Sequence, residues 1–161
     1  MWIIQSKYGA DDFYQSLEKE LLSLIDGESN LVANLSNLSS WLYHAIPHLN
    51  WAGFYLWQEQ DQELVLGPFQ GMPACIRIKP TRGVCGKAYS TGATLKVDDV
   101  EAFPGHIACD SASKSELVIP LVKNGKVFGV LDLDSPKLGR FSDTDAENLT
   151  SIFKKISPQI F

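Results

Sequence analysis

Two apolar runs joined by a short polar turn constrain this chain more than any other feature. "ELVIPLV" (Glu116 to Val122) and "VFGVLDLDS" (Val127 to Ser135) are separated by "KNGK". Asn-Gly is the dipeptide best suited to the positive φ angles of a tight hairpin. The two runs are therefore expected to pair as antiparallel neighbours. Alternation along the second run sends Val130, Asp132 and Asp134 to one face and Leu131 and Leu133 to the other. Glu116 opens the first run and comes alongside these acids across the hairpin. The ordinary reading of paired carboxyls is a solvated face. Here they follow uninterrupted apolar stretches, so partial cover is expected, and burial with mutual repulsion would raise at least one pKa.

Upstream, the hydrophobic period is helical. In "ADDFYQSLEKELLSLIDG", Phe13, Leu17, Leu21, Leu24 and Ile25 form one stripe, with Asp11 or Asp12 to cap it and Gly27 to end it. A second helix reads through Leu31, Leu35, Leu38 and Leu42 and ends by Pro47. "WAGFYLW" and "ELVLGP" then read as strands either side of the turn "QEQDQ". "ACIRI" (Ala74 to Ile78) reads as a short alternating strand reached through a loop, "GPFQGMP". "RGVCGKAYSTG" predicts a tight turn into a short helix stopped by Gly92, and "TLKVDDV" a brief strand. A long polar loop, "GHIACDSASKSE" (Gly105 to Glu116), precedes the hairpin. Ser142 and Asp145 have capping-box spacing at the head of a closing helix. Helices, hairpin-linked strands and a closing helix make an α+β domain with a mainly antiparallel sheet.

The length of 161 residues suits one domain, and no stretch approaches a membrane span. The start lacks the cationic lead of a secretory signal. A net charge of −5 argues against nucleic acid or an anionic membrane as partner. Three cysteines suit free thiols in the cytoplasm, where a disulfide is more often chemical than structural. There is no Cys-x-x-Cys pair, and His44, His48 and His106 are not spaced as ligands around the cysteines, so no metal is expected. Gly83, Gly86 and Gly92 lack the spacing and the following Lys-Ser/Thr of a nucleotide loop.

The cysteines carry the chemistry that the sequence suggests. Cys109 lies among Gly105, His106, Asp110, Ser111 and Ser113, which are poor core material, and backbone N–H groups of such a loop stabilise a thiolate. Its bland alternative is a small buried hydrophobe. Cys85, between Gly83 and Gly86, and Cys75, after the "GPFQGMP" loop, are either independent buried thiols or partners for Cys109. Trp51 and Tyr55 share a strand face and read as core or as one wall of a ligand pocket.

Taken together, "NWAGFY", "GPFQG", "ACIRI", "GVCG", "GHIACDSASKSE" and "GVLDLDS" resemble, in order and spacing, the free methionine-R-sulfoxide reductases, which are small stand-alone GAF-domain enzymes. The likeness runs from about Trp51 to Phe141, with compatible helices outside it. The first ten or so residues read as a variable extension of a single domain spanning residues 1–161. The resemblance implies a GAF-like sheet of about six strands, helices on one face and a loop-enclosed pocket on the other. It implies reduction of free L-methionine-(R)-S-oxide, with thioredoxin as reductant, no bound cofactor, and a homodimer as the family expectation. By motif, Cys109 is the attacking thiol that becomes a sulfenic acid. Cys75 is the preferred resolving cysteine and Cys85 the alternative. Glu116, Asp132 and Asp134 line the pocket, and Trp51 holds the sulfoxide methyl group.

That chemistry needs a nucleophilic cysteine, an acid near the sulfoxide oxygen, a resolving cysteine and a seat for a zwitterion. Ionised carboxylates beside Cys109 would suppress its thiolate, so at least one carboxyl is expected to be neutral. The competing readings are a non-catalytic GAF module that binds a small ligand, and a thiol redox sensor.

Overall fold

The structure, a computed structural model, describes residues 2–106 and 111–161. Within them the order is α1 (Phe13–Ile25), α2 (Leu31–Ala45), β1 (Trp51–Gln58), β2 (Glu63–Gly71), β3 (Arg77–Ile78), α3 (Gly83–Thr91), β4 (Leu95–Val97), β5 (Ser115–Lys123), β6 (Lys126–Ser135) and α4 (Asp143–Ile160). A single 3₁₀ turn spans Val100–Ala102. The six strands form one sheet in the order β3-β2-β1-β6-β5-β4, with each pair antiparallel.

The hairpin of β5 and β6 sits near the middle of this sheet, as the Asn-Gly turn predicts. Asn124 and Gly125 both hold positive φ, 51° and 75°. Alternation also holds. Leu117, Ile119, Leu131 and Leu133 face a core closed by α1, α2 and α4. Val118 and Val130 face a second, smaller core with Trp51, Tyr55, Ile78, Val84 and Cys85, covered by α3. The sheet is thus filled on both sides by unequal layers, and the carboxyls lie on the thinner side.

The helix ends follow local chemistry. Asn30 caps α2 by accepting from the Ala33 N–H at 3.0 Å. Ser142 and Asp145 close the reciprocal capping box at 3.0 and 2.8 Å. Asp12 occupies the N-cap of α1 but makes no side-chain cap. The described part of the N-terminal arm, expected as an extension, is tied down at Gln5, Ser6 and Tyr8. Ser6 bonds Glu20 through its N–H and its hydroxyl, each at 2.7 Å, and the Tyr8 hydroxyl donates to Asp145 Oδ1 at 2.9 Å. Asp145 also accepts from Tyr14 and faces Arg140 Nη1 at 3.4 Å, so it joins the N-terminal arm to α4. None of the helices among the described residues is long and apolar enough to cross a membrane.

Two expectations need correction. "GPFQG" is not a loop but the end of β2, which bulges opposite Gly53 and Tyr55. The cause is Phe69, whose ring stacks on Trp51 at 5.2 Å. Gly53 allows this: a Cβ there would lie 2.3 Å from Phe69 Cβ and 2.7 Å from the Trp51 ring. "ACIRI" is not a five-residue strand, because only Arg77–Ile78 pair in β3. The Ile76 carbonyl still accepts from the Leu66 N–H at 2.9 Å, but the Cys75 carbonyl accepts from the Tyr55 hydroxyl at 2.9 Å. That bond draws the chain at Cys75 off the ladder and towards the thinner layer.

Candidate active site

The strand register determines which acids meet. Trp51 lies opposite Asp134 and Gly53 opposite Asp132 between β1 and β6. Glu116 lies opposite Asp134, and Val118 opposite Asp132, between β5 and β6. Glu116 and Asp132 are therefore diagonal neighbours on one face, within reach of each other. Both are 6% exposed.

Above them stands the first turn of α3. Gly83 begins the helix at a φ of 65°, and its N–H donates to the Gly105 carbonyl at 3.2 Å. Gly86 lets the turn press against the preceding segment, since a Cβ there would lie 2.3 Å from the Lys79 carbonyl oxygen. This docking drives Cys85 into the carboxyls. Its Sγ is 3.3 Å from Asp132 Oδ2 and 3.8 Å from Glu116 Oε1. The three ligating atoms of Cys85, Glu116 and Asp132 all lie within 4.8 Å of one another. Sequence spacing gave no hint of such a donor cluster, because it arises only when α3 docks.

Between these groups is a small, partly open cavity of about 30 Å³. Tyr55, Cys85, Glu116, Asp132 and Asp134 line it together with Arg82, His106 and Ser113. Beside it the Trp51 indole stacks on Tyr55 at 5.9 Å and donates to the Met72 carbonyl at 3.1 Å. Cys75 is disulfide-bonded, whereas Cys85 is a free, buried thiol. Cys109 lies outside the described residues. On either side of that segment, His106 and Ser113 line the cavity, and Ser113 Oγ accepts from Asn50 Nδ2 at 3.0 Å.

Burial controls the protonation of the cluster. Glu116 is pushed well above the usual carboxyl range, first by burial and then by the charges of Asp132 and Asp134. Asp132 rises to about 6 by burial, held back by hydrogen bonds from Cys85 and Glu116. Cys85 is pushed well above an ordinary thiol by burial and by the same carboxylates. The N-terminal turn of α3 favours a thiolate by only ~0.3–1 kcal/mol, so burial wins. At neutral pH burial shifts Glu116 towards its neutral form, Cys85 holds its proton and Asp132 is a carboxylate. Its Oδ1 is buried with no N–H or hydroxyl donor in reach, so only a proton on a neighbouring carboxyl or an incoming ligand can satisfy it. Burial lowers the pKa of His106, so it is neutral at pH 7 and its 3.9 Å approach to Glu116 Oε2 is not an ion pair.

The structure brings the three acids and Tyr55 together around one cavity. Arg82 was missed, although a cation directly before the Gly83 helix start was legible in "TRGVCG". An N-terminal helix turn with an adjacent arginine is a seat for an anion. The cavity therefore has a carboxyl floor and a cationic rim, which is complementary to a zwitterion.

Comparison with known proteins agrees with this geometry. The GAF domain family model matches residues 35–157. The free methionine-R-sulfoxide reductase of Escherichia coli is 46% identical over 145 residues, covering 90% of this chain and 87% of that protein. The reductase of the same name from Saccharomyces cerevisiae is 48% identical over 150 residues, covering 88% and 83%. The X-ray structure of free methionine-R-sulfoxide reductase from Neisseria meningitidis in complex with its substrate superposes with a TM-score of 0.90. It is 42% identical and covers 98% of this chain and 95% of that one.

Proposed function

The chain belongs to the free methionine-R-sulfoxide reductases, a family built on the GAF domain, and from that premise we propose that it reduces free L-methionine-(R)-S-oxide to methionine by a cysteine sulfenic acid cycle. The observation that carries the reading is the buried pair Glu116 and Asp132 at the floor of a cavity that Arg82 also lines, with burial shifting Glu116 towards its neutral form. A sulfoxide sulfur is a poor electrophile until its oxygen is hydrogen-bonded or protonated. A buried, protonated carboxyl supplies that donor at neutral pH. The Asp132 carboxylate, with Asp134 beside it, receives the α-ammonium, and Arg82 with the first turn of α3 receives the α-carboxylate.

Cys109 is the nucleophile in this reading. Its sulfur attacks the sulfoxide sulfur, the oxygen passes to Cys109 as a sulfenic acid, and methionine leaves two electrons richer. The Cys75 thiol then condenses with the sulfenic acid, forming a disulfide and releasing water. A dithiol protein of the thioredoxin type restores both thiols by exchange. The disulfide-bonded state of Cys75 and the free, proton-bearing state of Cys85 support Cys75 rather than Cys85 as the resolving residue. Such a cycle suits the cytoplasm, where dithiol reductants are kept reduced.

Restriction to the free amino acid follows from the floor of the cavity. A peptide-bound residue offers an amide in place of the ammonium and leaves Asp132 Oδ1 without a partner. N-acetyl-methionine sulfoxide should therefore react with kcat/KM lower by about 100-fold or more than the free amino acid. Equal rates on the two compounds would overturn the ammonium seat.

A further inference from the structure

We infer that Cys85, Glu116 and Asp132 form a binding site for a thiophilic divalent cation of the zinc class, which competes with substrate for the floor of the cavity. The donor set is mixed, one thiol and two carboxyls, and all of it is buried. Zinc bound tetrahedrally at ~2.3 Å to sulfur and ~2.0 Å to oxygen sets its sulfur and oxygen ligands about 3.5 Å apart. The two sulfur–oxygen separations present, 3.3 and 3.8 Å, bracket that value. A cation therefore fits between the three atoms with shifts of a few tenths of an ångström. Asp132 Oδ1, buried with no N–H or hydroxyl donor among the described residues, is a second, independent observation that favours a cation here.

The remaining position is open to water or to His106, whose Nε2 stands 3.9 Å from Glu116 Oε2 and lines the same cavity. Cys85 binds as the thiolate, so its proton leaves for solvent as the cation enters. The thiolate and the two carboxylates then offset the charge of the cation. Competition with substrate rests on the reading of the cavity as an ammonium seat; the binding of the cation does not.

The test uses the protein oxidised at Cys75, in which Cys85 is the free thiol, with cadmium as the probe because a thiolate–cadmium bond absorbs in the near ultraviolet. The expected result is one equivalent bound with a charge-transfer band, displaced by zinc. Cys85→Ser should lose the band. Glu116→Gln and Asp132→Asn, which retain the thiol, should keep the band but need at least about tenfold more cadmium. Absence of the band, its survival in Cys85→Ser, or full affinity in both carboxyl variants would overturn the site. Titration with methionine sulfoxide should displace the cation. Binding without displacement would leave the cation site standing and count against the ammonium seat alone.

Discussion

The Cys85 thiol donates a hydrogen bond to Asp132 Oδ2 across 3.3 Å, and neither residue is open to solvent. This pairing makes Cys85 a proton holder rather than a nucleophile. In the folded protein its alkylation by iodoacetamide at neutral pH should be slower than that of an unfolded cysteine by about 100-fold or more, since each unit of raised pKa costs tenfold in thiolate. Peptide mapping after timed alkylation checks this, with denaturant restoring the ordinary rate. Rapid labelling of Cys85 in the native state would refute it.

The same pairing separates the two candidate resolving residues. Cys75→Ser should still convert about one equivalent of methionine sulfoxide, because the sulfenic acid forms without it. Its thioredoxin-coupled turnover should fall by about 100-fold or more. Cys85→Ser should retain steady turnover, with a changed pH profile because a donor to Asp132 is altered. Loss of coupled turnover in Cys85→Ser alone would reverse the assignment.

Asp132 links the site to stability. Its pKa rises from 3.8 in the unfolded chain to about 6 in the folded protein. The folded state binds this proton more tightly, so the stability it contributes is complete below about pH 4 and lost as pH rises through about 6. Asp132→Asn cannot lose it. The stability difference between variant and wild type should therefore grow in the variant's favour from pH 4 to pH 7, by on the order of 3 kcal/mol. Urea unfolding at several pH values reads this directly, and a pH-independent difference would refute it.

Asp145 carries no chemistry but anchors the N-terminal arm. It accepts from Tyr8, Tyr14 and Ser142 and faces a buried Arg140. Asp145→Ala strands that guanidinium and removes the carboxylate half of the α4 capping box. The expected cost is about 3–5 kcal/mol of unfolding free energy, measured by denaturant titration. A loss below about 1 kcal/mol would show the network to be dispensable.

What was legible in the sequence had a local cause. Asn124-Gly125 fixed a hairpin, the hairpin fixed a register, and the register placed Glu116, Asp132 and Asp134 on one face. The helical stripes and the Ser142 capping box were legible for the same reason. The contact of Cys85 with Asp132 was not, because it depends on where α3 docks, and that is decided by the close approach of Gly86 to the Lys79 carbonyl. "ACIRI" misled because its alternation is real in composition, whereas the Tyr55 hydroxyl takes the Cys75 carbonyl out of the ladder. The stacking of Trp51 on Phe69 was equally hidden, because it depends on the extension of β2 through its bulge.

The central claim is a stereospecific reduction of the free amino acid initiated at Cys109. Thioredoxin-coupled turnover should be measured on the separate R and S epimers of free methionine sulfoxide, with Cys109→Ser alongside the wild type. The account predicts turnover of the R epimer, little of the S epimer, and loss of activity in Cys109→Ser even for a single equivalent. Equal turnover of both epimers, or a Cys109→Ser protein that still converts one equivalent, would contradict it.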